Sequence, residues 1–322
     1  DLSVRIPLGM LVCVTGVSGS GKSTLVEDTL YRAVARAFRV DSLPMGRFKA
    51  IKGIEHLKGI KLIDQQPIGR TPRSNPITYL KAFDEIRRLF ASERDALRQG
   101  FTPGHFSFNA SGGRCERCEG SGVEKLEMYF FEDIYAPCEI CDGKRFKPEI
   151  LKIRYRGKNV WDVLNMTVEE ALSFFTGTPK LQERLHLLTS IGLGYLRLGQ
   201  SATTLSGGEA QRLKIAAELK DTSAKDVLYV MDEPTTGLDP IRADVINDLI
   251  VELVRDLGIT ALTITHDMAS ARKIAHRVAM LYQGKIIWEG PRDQIDASGN
   301  PYVDQFVHGR ADGPIRTGQL AA

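Results

Sequence analysis

The stretch Gly16-Val17-Ser18-Gly19-Ser20-Gly21-Lys22-Ser23-Thr24 follows the apolar run Met10-Leu11-Val12-Cys13-Val14 and fits G-x-x-x-x-G-K-[ST]. An apolar run, a glycine-rich loop and a helical run from Leu25 to Leu30 read as strand, loop and helix. The glycines Gly16, Gly19 and Gly21 let the backbone N–H groups of the loop, those of Ser18 and Ser20 included, turn inward around a triphosphate. Lys22 then reaches the outer phosphates, and the Ser23 hydroxyl can ligate Mg²⁺, with Thr24 beside it at the helix N-terminus. A chain built around this loop is committed to an α/β architecture and to binding ATP or a relative of it.

The other constraints are weaker. A chain of 322 residues with 43% apolar content has room for two domains, or for one nucleotide-binding domain with a large insertion. A net charge of +3 neither requires nor excludes a nucleic-acid partner, because basic patches can hide within a near-neutral sum. No run of about 18 apolar residues occurs. The chain opens Asp1-Leu2-Ser3-Val4, with neither a basic signal region nor a starting Met, which predicts a cytoplasmic protein and a fragment of a longer one. Four of the five cysteines form two Cys-x-x-Cys pairs, which in a reducing compartment points to metal; Cys13 reads as core.

Along the chain, residues 1–15 suggest a pair of strands turning at Pro7-Leu8-Gly9, and 22–38 a helix. Between Met45 and Arg73 the bases Arg47, Lys49, Lys52, Lys58, Lys61, Arg70 and Arg73 outnumber Glu55 and Asp64, forming either a phosphate-facing surface or a solvated basic face. Within it, Lys61-Leu62-Ile63-Asp64-Gln65 reads as a strand running into a loop, where Gln65 can sense Mg²⁺ and the attacking water. Residues 77–100 predict one helix with Leu80, Phe83, Ile86, Leu89 and Phe90 on one side and Gly100 as its stop. Cys115, Cys118, Cys138 and Cys141, with residues 119–137 between the pairs, have the spacing of a four-thiolate zinc site. Gly120 and Gly143 free the backbone after each pair, and 123–130 suits one strand of a hairpin. Tyr129, Phe130 and Phe146, with Arg114, Lys125, Lys144, Arg145 and Lys147, either meet DNA or simply fold the module. Leu151-Lys152-Ile153-Arg154-Tyr155 reads as a strand, followed by helices after Thr167 and near Pro179.

The last third carries further chemistry. Ser206-Gly207-Gly208 opens a helix and forms a second anion site, more than one ATP usually needs. The apolar strand Val227-Leu228-Tyr229-Val230-Met231 ends in Asp232-Glu233, one carboxylate placed to hold Mg²⁺ through water and the next to orient the attacking water. A further strand, Ala261-Leu262-Thr263-Ile264-Thr265, ends in His266.

Phosphate loop, Gln65, the Leu205-Ser206-Gly207-Gly208-Glu209 signature, Asp232-Glu233, Asp239 and His266 occur in the order of the ATP-binding cassette superfamily, which the chain resembles throughout. That resemblance implies an α/β P-loop NTPase of the ATP-binding cassette type. It further implies head-to-tail pairing of two modules around shared ATP, with Glu233 the catalytic carboxylate, His266 the γ-phosphate switch, and Ser206 to Gly208 and Asp239 near the nucleotide. Residues 1 to about 235 resemble the second ATPase half of the UvrA family of bacterial nucleotide excision repair. The stretches carrying this are Val14–Ser20, Ile68–Pro76, Phe106–Asn109, Gly112–Cys115 and Leu198–Ser206. The family implies a large zinc-containing insertion engaged with double-stranded, damaged DNA, and a UvrB-like repair protein as partner.

From about Ile241 the chain instead resembles the ATPase of the Mla phospholipid transporter, through Thr265-His266-Asp267, Met268–Lys273, Met280–Lys285 and Gly299–Phe306. The sequence thus reads as a junction of two cassette subfamilies, crossing between Asp221 and Asp239, with a membrane permease as the partner under the transporter alternative. The expected organisation is a core part over 1–44 and an insertion and signature region over 45–195 with the zinc module at about 112–147. A second core part over 196–308 and a disordered tail over 309–322 follow.

Overall fold

A computed structural model describes residues 2–69, 71–126, 134–218 and 226–316. The chain forms two compact units, one from 1–65 and 218–322 and the other from 66–217. The first unit begins with β1 (Leu11–Thr15), buried along its whole length, and the glycine-rich loop. A π-helical segment, Thr24–Tyr31, continues into α1 (Arg32–Ala37), and the chain then reaches β2 (Gly59–Ile63). Among the described residues up to 15 only one strand forms: those before Leu11 do not enter the sheet.

The second unit opens with α2 (Pro76–Tyr79), α3 (Phe83–Ala91) and α4 (Arg94–Arg98), in place of the single helix expected over 77–100. Lys81 takes a φ of 57° and Glu93 is extended, so the helical hydrogen-bond ladder is cut twice before Gly100 ends it. The apolar face survives the breaks: Leu80, Phe83, Ile86 and Phe90 are buried. Phe83 stacks on Phe108 at 5.1 Å and Phe90 meets Phe106 at 5.5 Å. A hairpin of β3 (Val123–Leu126) and β4 (Ile134–Pro137) follows; the expected strand residues Tyr129 and Phe130 lie outside the described residues.

Residues 151–155 are not a strand. Pro148 instead starts a helical turn, α5 (Pro148–Leu151), because its fixed φ suits a first helical position, and Tyr155 pairs only with Lys158 across a tight turn. α6 (Val160–Asn165) and α7 (Val168–Phe174) each start on a capping box, Asn159 with Asp162 and Thr167 with Glu170. α8 (Pro179–Ser190) has proline in its first turn, and α9 (Gly207–Glu218) closes the unit.

The chain then returns to the first unit with β5 (Val227–Asp232), α10 (Pro240–Leu257), β6 (Thr260–Ile264), α11 (Met268–Ile274), β7 (Arg277–Tyr282), β8 (Lys285–Pro291) and α12 (Pro301–Val307). The sheet order is β2-β5-β6-β1-β7-β8, parallel except for the edge strand β8. The near-continuous apolar runs of β1, β5 and β6 are what strands covered on both faces require. Because the five parallel strands share one direction, the phosphate loop, the Asp64-Gln65 turn, Asp232-Glu233 and His266 all leave the same edge of the sheet.

The tail is partly structured. Ile315 is buried, its N–H donates to Gln305 Oε1 at 2.6 Å and its carbonyl accepts from Gln305 Nε2 at 3.0 Å, so the described residues after 309 fold back on α12; residues 317–322 lie outside the description. Among the described residues no helix is long and apolar enough to cross a membrane.

Candidate functional site

The phosphate loop is held from two sides. Lys22 is buried, and its ammonium donates to the carbonyls of Gly16 at 2.8 Å and Val17 at 2.9 Å, which shapes the loop from within. From outside, the Gly284 N–H donates to the Ser20 carbonyl at 3.0 Å and the Leu281 carbonyl presses on Gly16. Gly16 has a φ of 136°, and a Cβ there would meet the Leu281 oxygen at 2.1 Å. Gly16→Ala is therefore expected to destabilise the fold by about 2–3 kcal/mol. Gly19→Ala, with open space around the added carbon, should cost less. Thermal unfolding of the two variants side by side checks this, and equal midpoints would refute the close-approach argument. Ser20 Oγ, buried in the loop without a hydrogen-bond partner, is the kind of orphan that a phosphate oxygen would satisfy.

Asp232 ends β5 and Glu233 follows it at a φ of 45°, a left-handed conformation that costs a non-glycine residue free energy. Three bonds hold it there. Its N–H donates to the Ile264 carbonyl at 2.9 Å, the Thr236 hydroxyl donates to Oε2 at 2.8 Å, and Oε1 lies 2.9 Å from His266 Nδ1. The strand-end carboxylate and the strand-end imidazole, far apart in sequence, are thus brought into contact. Burial lowers the Lys22 pKa, while the nearby Glu233 and Asp232 carboxylates oppose that shift. Burial also raises the Asp232 pKa, reinforced by repulsion from Glu233 and Asp64.

Two acids beside this edge escaped the sequence reading. Asp64, just past β2, and Glu27, in the helix behind the phosphate loop, both act on Asp232 or feel it. Glu27 Oε1 is buried without a partner, and burial first, then repulsion from Asp232, Asp28 and Asp64, pushes its pKa up to about 7. The available signal was spacing, since Ser23 and Glu27 are i and i+4 and share a helix face. A carboxyl raised from 4.5 to about 7 holds its proton in the folded protein after the unfolded chain has released it. Its contribution to stability is full at low pH and is lost as pH rises from about 4.5 through 7. Glu27→Gln should thus gain about 1–2 kcal/mol over the wild type at pH 8, after discounting for partial exposure, and little at pH 4.5. Urea titrations at both pH values measure this, and a gain independent of pH would contradict it.

The remaining sequence-selected residues have local roles in view. Gln65 and Ser23 are exposed. Asp239 caps α10, accepting the N–H groups of Ile241 at 3.1 Å and Arg242 at 3.0 Å. In the second unit the Ser206 N–H donates to Glu209 Oε2 at 2.6 Å, the Glu209 N–H donates to Ser206 Oγ at 3.3 Å, and Tyr195 hydrogen-bonds Glu209 Oε1, so the signature turn is tied into a cap with Gly207 and Gly208 in the first turn of α9. Of the bases between 45 and 73, Lys58 pairs with Asp226, Lys61 with Glu218 and Arg73 with Glu119; Arg70 lies outside the described residues. Burial places the Cys13 thiol well above the ordinary range, consistent with an inert core residue.

The four other cysteines converge. All four sulfurs lie within 4.8 Å of one another, with Cys118 and Cys141 at 3.7 Å and Cys115 and Cys138 at 4.0 Å. A tetrahedral zinc with Zn–S bonds of about 2.3 Å sets its sulfurs about 3.8 Å apart, so the set fits that ion. The two knuckles share one backbone trick: Glu119-Gly120 and Asp142-Gly143 all take positive φ, and the chain curls so that the Gly122 N–H donates to Cys118 Sγ at 3.3 Å. Around the knuckles Arg117 pairs with Glu124, Lys144 with Asp142 and Lys147 with Glu116, while the Arg145 guanidinium sits 5.3 Å over the Phe108 ring.

No family model matches the chain. Among curated proteins it is 49% identical over 306 residues to UvrABC system protein A of Methanothermobacter thermautotrophicus, covering 93% of this chain and 32% of that protein. Against the same protein of Thermus thermophilus it is 49% identical over 310 residues, covering 94% and 32%. The chain is a homologue of UvrABC system protein A. The solved structure of UvrA2 from Deinococcus radiodurans superposes with a TM-score of 0.81 at 41% identity, covering 95% of this chain and 38% of that one. The fold is accordingly a P-loop NTPase of the ATP-binding cassette type. The chain spans about a third of the length of the curated UvrA relatives it matches.

These alignments correct the junction reading. A match to UvrA over 306 residues cannot be housed in residues 1–235, so the UvrA likeness runs on through the last quarter, where a likeness to the Mla transporter ATPase was expected to replace it. The transporter alternative, with its permease partner, rested on that replacement and is not favoured.

Proposed function

We propose that this chain is the ATPase portion of a UvrA-type protein, which binds double-stranded DNA, recognises damage in nucleotide excision repair and hydrolyses ATP to regulate DNA engagement. The observation that carries the reading is the UvrA likeness, which extends over 93% of the chain. In this reading the loop from Gly16 to Thr24 cradles the phosphates, with Lys22 turning from the loop carbonyls to the outer phosphates. Ser23, Gln65 and Asp232 offer the hard oxygen donors that Mg²⁺ prefers. When bound, Mg²⁺ neutralises charge on the phosphate oxygens. Glu233 takes a proton from the attacking water, and His266, oriented by Glu233, reaches the γ-phosphate. Ser206, Gly207, Gly208 and Asp239 serve the ATP of a second cassette module in a head-to-tail pair. The four cysteines hold zinc as a folding element of the insertion, and a UvrB-like repair protein is the downstream partner. The protein acts in the cytoplasm.

The test is the ATPase rate of zinc-loaded protein with and without duplex DNA over a range of salt. Turnover that responds to DNA, with DNA retention that weakens steeply as salt rises, is the expected result, because each phosphate contact releases counterions. A rate indifferent to DNA, with no retention at low salt, would reduce the reading to a cassette ATPase without a nucleic-acid role.

A further inference from the structure

Glu233 and His266 meet at 2.9 Å although they stand on separate segments, the loop after β5 and the turn after β6. Beneath them one buried hydroxyl joins those segments. Ser270, in α11, is 2% exposed. Its Oγ donates to Asp267 Oδ2 at 2.5 Å, accepts from Asn247 Nδ2 at 2.9 Å and lies 3.2 Å from Thr235 Oγ1. A serine hydroxyl has one proton and two lone pairs. The proton goes to the Asp267 carboxylate and one lone pair takes the Asn247 N–H, so the Thr235 hydroxyl must donate to the other. The oxygen is saturated, and its three partners belong to three different segments of the unit.

Two of the three partners are one step from the reactive pair. Asp267 follows His266 directly; its Oδ1 accepts the Ala269 N–H at 2.9 Å and its own N–H donates to Thr265 Oγ1 at 3.1 Å, which fixes the turn on both sides of the imidazole. Thr235 precedes Thr236, whose hydroxyl holds Glu233 Oε2. Asn247 anchors the hub to α10.

We infer that Ser270 is a positioning residue for ATP hydrolysis: it locks the Glu233 loop to the His266 turn and sets the arrangement in which carboxylate and imidazole meet. The inference rests on the ATPase reading above. A serine that merely satisfied a polar core would matter for stability alone. A positioning serine governs the rate of the chemical step, because displacement of a catalytic group by an ångström can cost about 100-fold.

The experiment compares the wild type with Ser270→Ala, Ser270→Thr and Thr235→Val in the full chain, measuring kcat, equilibrium ATP affinity and thermal midpoint. Ser270→Ala is expected to lower kcat about 10- to 100-fold while the ATP Kd changes less than about twofold. Ser270→Thr, which keeps the hydroxyl, should restore kcat. Thr235→Val keeps its shape and removes the hydroxyl from the other side of the hub. It should reproduce the loss, and it serves as the test if Ser270→Ala does not fold. An unchanged kcat in a folded Ser270→Ala or Thr235→Val, or parallel losses of kcat and affinity that Ser270→Thr fails to rescue, would overturn the assignment. Absence of Glu233-dependent turnover in the wild type would instead overturn the ATPase reading and this inference with it.

Discussion

Glu233→Gln is expected to bind ATP as well as the wild type and to hydrolyse it about 10³-fold more slowly. General-base catalysis by a positioned carboxylate is worth about 10²- to 10⁴-fold, and glutamine removes the basicity while keeping the shape. The surroundings favour a clean result. Glu233 is held at a strained φ of 45° by a backbone bond to Ile264 that the substitution does not touch. A glutamine amide can still pair with Thr236 and His266, the two side chains that hold the carboxylate. Loss of the charge also relieves the repulsion that helps raise the Asp232 pKa, so the Asp232 carboxylate ionises more readily. Titration with a fluorescent ATP analogue and phosphate release on the same preparation separate binding from chemistry. Wild-type turnover in the variant would remove Glu233 from the base role.

The second large effect concerns the cysteines. Cys138→Ser should abolish zinc retention and unfold the region around the two knuckles, leaving ATP binding in place. Free energies of structural zinc binding run to about 10–16 kcal/mol, far more than so small a hairpin gains from its own burial. The four sulfurs also sit together in the interior, where without an ion they would be a cluster of desolvated thiols. Metal analysis after dialysis should find one zinc per chain in the wild type and none in the variant. Limited proteolysis should cut the variant within about residues 112–147. A variant that kept full zinc, or a wild type that bound none while its thiols stayed reduced, would defeat the zinc reading.

What could be read from the sequence, and what could not, divides along physical lines. β1 with its loop, β5 with its two acids and β6 with its histidine were legible because buried parallel strands are continuous apolar runs and their polar ends stand out. The cysteine pairs were legible from spacing, and a helix was expected after Thr167, where α7 begins. The breaks in the 77–100 helix were not, because Lys81 adopts a positive φ that nothing in its side chain announces. Residues 151–155 misled because alternation over Leu151, Ile153 and Tyr155 imitates a strand, while Pro148 and the turn at Gly157 decide otherwise. Asp64 and the Ser270 hub were invisible for a different reason: their meaning lies in neighbours that the fold brings from distant parts of the chain, whereas Glu27 left only its spacing from Ser23 as a trace.

The place of β1 has a consequence for how the protein is made. Its two sheet neighbours, β6 and β7, both come from the far end of the chain, and the Gly9 N–H bonds Thr260 Oγ1 across 251 residues. On the ribosome β1 therefore emerges with both edges open and stays so until β6 and β7 have followed it. The loop on which Leu281 and Gly284 press cannot take its final form sooner. The phosphate loop is thus completed only once β7 and the turn after it have been made, and the nascent chain has a long interval in which an apolar strand lies unpaired.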